Sequence, residues 1–239
     1  MYIPDHFRMP DSDVREFLAR VGTGTLVTVD PVSSRPLATF LPWVWTEGGR
    51  LITHIGLVNP QSGHGRPATP LDGSDPGAAA YPGTALLIVM GEDAFVSSRW
   101  LTQPGGATWD YETVHVYGDL VHHTDTAWIQ NCFDTMMRHY DSSSIKGYDP
   151  EWLEKQSRAV VGLELIVTDV WAKSKLSQNR SEQEVRAIAQ HLQTSCPHLA
   201  ERVRQVSLPH VEARDARVRA ATAYTYVRKT TTRPPSPHP

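Results

Sequence analysis

Residues 161–168 read VGLELIVT, in which Val161, Leu163, Leu165 and Val167 alternate strictly with their neighbours. Successive side chains of a strand point to opposite faces, so a period of two predicts a half-buried β-strand. Outward from it, the same β-branched and aromatic richness predicts strands at Thr25–Val29, Leu37–Trp45, Arg50–Leu57, Thr84–Met90, Ala94–Trp100 and Tyr111–His122. Turn signals separate them, among them Asp30-Pro31 through Arg35-Pro36 and Glu47-Gly48-Gly49. Helical stripes are fewer. Val14, Phe17, Leu18 and Val21 recur at helical spacing in a segment from Asp13 to Val21, with Asp11 or Ser12 able to cap it. Trp128, Ile129, Cys132, Phe133 and Met136 give 125–140 a buried stripe. Ser181 and Glu184 form a capping box ahead of Val185, Ile188, Ala189 and Leu192. Six or seven strands with few helices predict a mainly antiparallel β-barrel with flanking helices.

Composition narrows the function classes. The 239 residues are 40% hydrophobic and 21% charged, as expected of a soluble globular protein. A net charge of −3 supplies no global basic field for nucleic acid. From Leu199 onward eight Arg and Lys face three Asp and Glu, which reads as a solvated helix face and a tail. Cys132 and Cys196 are too few for a disulfide framework and lie in no CxxC pair, so reduced buried thiols are expected. MYIPDHFRMP holds no apolar run of signal-peptide length, and no stretch reaches the roughly 20 apolar residues of a membrane span, so the cytoplasm is the expected compartment. Residues 62–83 carry five Gly and four Pro and are expected to form a long mobile loop, in which His64 and Arg66 would act on a lid. The expected organisation is one cofactor-binding domain over 1–192, a helical extension over 193–228 and a disordered tail over 229–239.

Walker, GxGxxG, GxSxG and HExxH signatures are missing from the sequence. His122 and His123 are adjacent on a strand and point to opposite faces, which reads as a surface pair and not a metal site. Four polar segments flank apolar strands instead. LITHIGLVNPQ (51–61) carries His54, Asn59 and Gln61. AFVSSRW (94–100) carries Ser97 and Arg99. ATWDYETVHVYG (107–118) carries Trp109 and places His115 mid-strand. KSKLSQNRS (173–181) carries Lys173, Lys175, Gln178 and Arg180 just before a helix start, a setting that favours an anion such as a phosphate.

Taken in order, these segments resemble PaiB-type proteins, the "FMN-binding negative transcriptional regulator" family. That family's pattern runs MYxPxxF, ATHLP, HMARANPQW, YISPSWY, TWNYxxVHxYG and KLSQNR. The corresponding segments here are Met1–Phe7, Ala38–Pro42, His54–Gln61, Phe95–Leu101, Thr108–Gly118 and Lys175–Arg180. The resemblance covers about residues 1–192. It implies an FMN-binding split β-barrel related to pyridoxamine-phosphate oxidases, a homodimer with the cofactor at its interface, and a small-molecule substrate. The cofactor-binding residues it implies are His54, Asn59, Gln61, Ser97, Arg99, Trp109, His115, Lys173, Lys175, Gln178 and Arg180.

Four departures fall in the expected cofactor region: Phe40 for a histidine, Leu57 for an arginine, Ser98-Arg99 for Pro-Ser, and Ser62 for a tryptophan. Losing a cation at a phosphate site costs about 1.5–3 kcal/mol, which Arg99, Lys173 or Lys175 would have to supply. Three functions follow. The first is a flavoprotein with a redox or regulatory role. The second is a haem b enzyme resembling the piperazate synthases, which form an N–N bond in N-hydroxylated ornithine, with His54 as the iron ligand beside the apolar Phe40 and Leu57. The third is a transcriptional repressor, for which no helix-turn-helix is seen and only the basic C-terminal segment would serve.

Overall fold

The computed structural model describes residues 1–63, 69–70, 77–141 and 149–231. Its helices are α1 (Asp11–Val21), α2 (Thr126–Tyr140), α3 (Pro150–Ser157), α4 (Glu182–Leu192) and α5 (Pro197–Thr231). Its strands are β1 (Thr23–Val29), β2 (Pro36–Pro42), β3 (Val44–Thr46), β4 (Arg50–Gly56), β5 (Thr69–Pro70), β6 (Ala78–Val96), β7 (Thr108–His123) and β8 (Val160–Lys175). They form one eight-stranded sheet in the order β2-β1-β6-β7-β8-β4-β3, with β5 on β6. β1 pairs antiparallel with β2 and β6, and β4 pairs antiparallel with β3 and β8. The fold is the expected one, a mainly antiparallel split barrel with flanking helices.

The chain divides into two compact units. The first comprises 1–3, 9–91 and 113–173, and the second 4–8, 92–112 and 174–239. In the first, Leu26, Leu87, Val114, Val116, Leu163 and Leu165 are fully buried. The half-buried strand expected from VGLELIVT is instead covered on both faces over 161–165, since Gly162 and Glu164 are buried with Val161, Leu163 and Leu165, and Val167 is only half-buried. In the second, α4 packs on α5 through Val185, Ile188, Leu192, Leu199, Val203 and Val211.

Several expectations are corrected. Leu37–Trp45 is two strands. Pro42 is the last β2 residue paired with β1, and β3 then leaves to pair with β4. Thr84–Met90 and Ala94–Val96 fall on one strand of 19 residues that runs through Gly91-Glu92-Asp93, whereas Ser98–Trp100, expected to extend the second strand, is a short 3-10 turn. Part of the 62–83 stretch is regular: Thr69–Pro70 pairs with Ala79–Ala80, and β6 begins at Ala78. The lid reading of His64 and Arg66 lies outside the described residues. No side chain caps α1. It follows Pro10, and Asp11 and Asp13 in its first turn complement the helix dipole.

His122 and His123 are not a surface pair. Both are buried, because both faces of β7 are covered there. His123 Nε2 lies 3.1 Å from Glu164 Oε2 and its ring stacks on Trp128 at 3.9 Å. His122 packs edge-on against Tyr81, and burial pushes its pKa down to about 4. Helix α3 was not predicted; Asp149 caps it and Pro150 opens it. Helix α5 is described as far as Thr231, and the rest of the tail lies outside the described residues.

Candidate functional site

β7 carries the TWDYETVHVYG segment, and its alternation decides what is offered outward. Asp110, Glu112, Val114 and Val116 are buried, whereas Trp109 is 53% exposed and Tyr111, His115 and Tyr117 are half-buried. In the second unit, Trp109 meets Phe95 edge-on at 5.9 Å. The Lys175 ammonium lies 5.8 Å from the Tyr111 ring and 6.0 Å from the Phe7 ring. It donates to the Thr108 hydroxyl at 2.6 Å and to the Trp109 carbonyl. Arg99 is exposed on the short turn Ser98–Trp100, and its backbone N–H donates to Ser97 Oγ at 3.2 Å. This unit therefore presents two exposed, mutually inclined aromatic rings with a cation nearby.

The KLSQNR turn sits beside it and is built from inside. Ser177 takes a left-handed backbone conformation, φ +65°, rare for a residue other than glycine. Its hydroxyl lies 2.8 and 3.0 Å from the two oxygens of Asp110. Burial pushes the Asp110 carboxyl up to about 6, against the opposing pull of Ser177, Lys175 and Arg180. Gln178 is buried: its oxygen accepts from Leu176 N at 2.7 Å and its amide donates to Ser174 O at 2.6 Å. Arg180 donates to Gly106 O at 3.0 Å, and Arg214 from α5 donates to the Arg180 carbonyl at 3.1 Å. The capping box of α4 forms, and Glu184 also accepts from Gln103 N at 3.2 Å. The N-terminus of α4 thus already holds a carboxylate of this chain, which weakens the case for a phosphate there.

The other expected residues are elsewhere. Lys173 belongs to the first unit, where it donates to Tyr2 O at 3.3 Å. Gln61 is 1% exposed and fills a gap beside β1 and β2. Its amide donates to Thr28 Oγ1 at 3.0 Å and Leu26 O at 3.3 Å, and its oxygen accepts from Thr39. Asn59 accepts from Gln61 N at 2.9 Å and donates to Thr39 at 3.2 Å, so it does not orient His54. His54, on β4, meets Phe133 edge-on at 4.8 Å and lines a cavity of about 310 Å³ with Met136, Met137, Tyr140 and Trp152. Its Nδ1 is buried without a hydrogen-bond partner, and burial lowers its pKa, leaving a neutral imidazole. His115 Nδ1 is likewise unpartnered, its pKa lowered by burial and by the N-terminal ammonium. No group of three metal-ligating side chains occurs among the described residues.

Sequence reading missed Asp110, Ser177 and Arg214 as a unit. Asp110 stands in TWDY where the PaiB-type pattern has Asn, and that was the available signal.

Comparison with known proteins identifies the family and the fold. Residues 1–169 match the family described as "Putative FMN-binding domain". Protease synthase and sporulation protein PAI 2 of Bacillus subtilis is 26% identical over 203 residues, covering 81% of this chain and 89% of that protein. Two solved structures share the fold. One is a conserved hypothetical protein of Mycobacterium tuberculosis (TM-score 0.51, 11% identity, 73% of this chain and 91% of that one). The other is a flavocytochrome of Azotobacter vinelandii (TM-score 0.50, 14% identity, 70% and 68%). Among the described residues no helix is long and apolar enough to cross a membrane. With the family match spanning well over half its length, the chain belongs to the PaiB-type FMN-binding family.

Proposed function

We propose that this chain binds FMN on the aromatic surface of its second unit, within a homodimer, and uses it in redox or regulatory chemistry on a small molecule. The observation that carries the reading is the outward placement of Trp109 beside Phe95 with the Lys175 ammonium at its edge. A half-exposed indole suits stacking against a flat heterocycle, and an ammonium suits a phosphate. The donor set therefore fits a flavin mononucleotide. When bound, the flavin supplies the electron transfer. The chain's own part is to stack the ring, hold the phosphate through Lys175 and Arg99, and exclude water. Phe95 at 49% and Trp109 at 53% exposure form an apolar surface of the kind a second copy covers. The test is the visible spectrum of the purified protein, followed by FMN titration of the apoprotein. Flavin bands and tight stoichiometric binding are expected; a colourless protein that ignores FMN overturns the reading.

A second reading rests on His54. A neutral imidazole with an unpartnered nitrogen, in a cavity walled by Phe133, Met136 and Met137, is what a haem iron needs. About 310 Å³ is at the low end of ligand pockets, which run to ~1,000 Å³, so haem b would have to extend beyond it. A single sharp Soret band in the same spectrum would select this reading.

A further inference from the structure

We propose that the outer face of the sheet over β2, β1 and β6, in the first unit, is where two copies of this chain pack face to face. The inference rests on the homodimer of the proposed function and assigns that homodimer a surface.

Strand register builds the face. Residues directly opposed on neighbouring strands share one side of a sheet. β1 sets Thr25 opposite Phe40 on one flank and Ile88 on the other, and Val27 opposite Ala38 and Leu86. Burial alternates in step along β1: Gly24, Leu26 and Thr28 are buried beneath, whereas Thr25 and Val27 are half-buried above. Phe40 is 70% exposed. Val29 (53%) and Met90 (47%) lie on the same side by alternation and extend the face at its two ends. None of these side chains carries a charge. Elsewhere the sheet is covered: α2 packs on β3 and β4, with Cys132 and Met136 against Val44 and Ile52.

Single exposed apolar side chains need no explanation, but a contiguous uncharged face does. Three strands over the seven residues of β1 span roughly 350 Å² of flat sheet, at ~4.8 Å between strands and ~3.4 Å per residue. Side-chain relief adds to that footprint. The face therefore supplies about half or more of the ~800 Å² that each partner buries in a standard dimer. Chemistry selects the occupant. A partner with a charged surface would bury those charges unpaired, which is costly. A second copy brings the same uncharged face, and a two-fold axis presents that face to itself. Relief fits as well: Phe40, the tallest side chain, stands beside Thr25 and Ala38, the shortest, so two copies interdigitate as packed sheets do.

The test is light scattering of the full chain on a sizing column. Wild type should have the mass of two chains. Phe40→Asp and Ala38→Arg, both at exposed positions that leave the core intact, should have the mass of one. Val32→Asp, 86% exposed in the turn between β1 and β2, adds a charge off the face and should stay dimeric. A monomeric wild type, or dissociation by Val32→Asp as readily as by the other two, would overturn the proposal. A dimer that survives Phe40→Asp and Ala38→Arg overturns this face and leaves the homodimer itself in place. Should Phe40→Asp fail to fold by circular dichroism, Ala38→Arg decides alone. FMN titration of the same samples reads the flavin separately: a dimer that Phe40→Asp dissociates and that ignores FMN supports this interface while sinking the flavin reading.

Discussion

The hydroxyl of Ser177 lies 2.8 Å from Asp110 Oδ2, so a buried carboxyl pins a left-handed serine. Raised to about 6 from 3.8, Asp110 binds its proton more tightly when folded. A raised acid pKa gives stability that is present below 3.8 and lost as pH climbs through about 6. Asp110→Asn keeps an acceptor for Ser177 and cannot ionise. It should stabilise the protein by about 1–3 kcal/mol at pH 8 and hardly at all at pH 3.5. Urea melts at the two pH values check this; a gain of equal size at both removes ionisation as the cause.

Gly162 pairs with His54 in the β4–β8 ladder, and a Cβ there would sit 2.2 Å from Cζ3 of Trp128. Trp128 is not free to retreat, since it stacks on the buried His123. Gly162→Ala should therefore cost about 1–3 kcal/mol, the usual range for overpacking. An unchanged melting temperature would show that Trp128 has another rotamer available.

Gln61 separates two readings of the Asn-Pro-Gln segment. If it belongs to the cofactor, Gln61→Ala weakens flavin and spares the fold. The contacts with Thr28, Leu26 O and Thr39 argue the reverse. We expect a loss of about 2–4 kcal/mol in denaturant stability, from a cavity and buried groups left without partners. A stable variant with poor flavin retention would return Gln61 to the cofactor site.

What was legible in the sequence depended on period. Val161, Leu163 and Leu165 are buried as their alternation demands, and the Ser181–Glu184 capping box forms because both partners are local. Gly91-Glu92-Asp93 misled because turn propensity is local, whereas strand pairing is not. Ser177 carries no mark of its left-handed backbone, which Asp110 enforces from 67 residues away. The histidines misled for a related reason: alternation says which way His122 and His123 face, but not that both faces are covered.

Lys175 tests the phosphate assignment. Its ammonium is held by Thr108 and the Trp109 carbonyl at the edge of the aromatic surface. Lys175→Ala should weaken FMN at least about tenfold, equal to one charged hydrogen bond. Lys173→Ala, whose ammonium bonds to Tyr2 O, serves as the comparison and should have less effect. Fluorescence titration with FMN and with riboflavin separates the phosphate from the ring: the defect should vanish with riboflavin. Equal defects for both ligands would mean that Lys175 acts only by bracing β7.

His54 separates the two cofactors. Burial lowers its pKa and favours the neutral imidazole, and its buried Nδ1 has no hydrogen-bond partner among the described residues. Its ring is fixed edge-on to Phe133, so removing it opens space in an apolar wall without stranding another polar group. In a flavin-loaded protein, His54→Ala should change FMN affinity by no more than about 1–2 kcal/mol, the loss of at most one neutral hydrogen bond. In a haem-loaded protein it should abolish or strongly shift the Soret band, because the imidazole that would ligate the iron is gone. The two outcomes are read in one experiment, by recording the spectra of wild type and variant after loading each cofactor. A haem-loaded protein whose Soret band ignores His54→Ala would falsify the ligand assignment and move it to His115, whose Nδ1 is also buried and unpartnered.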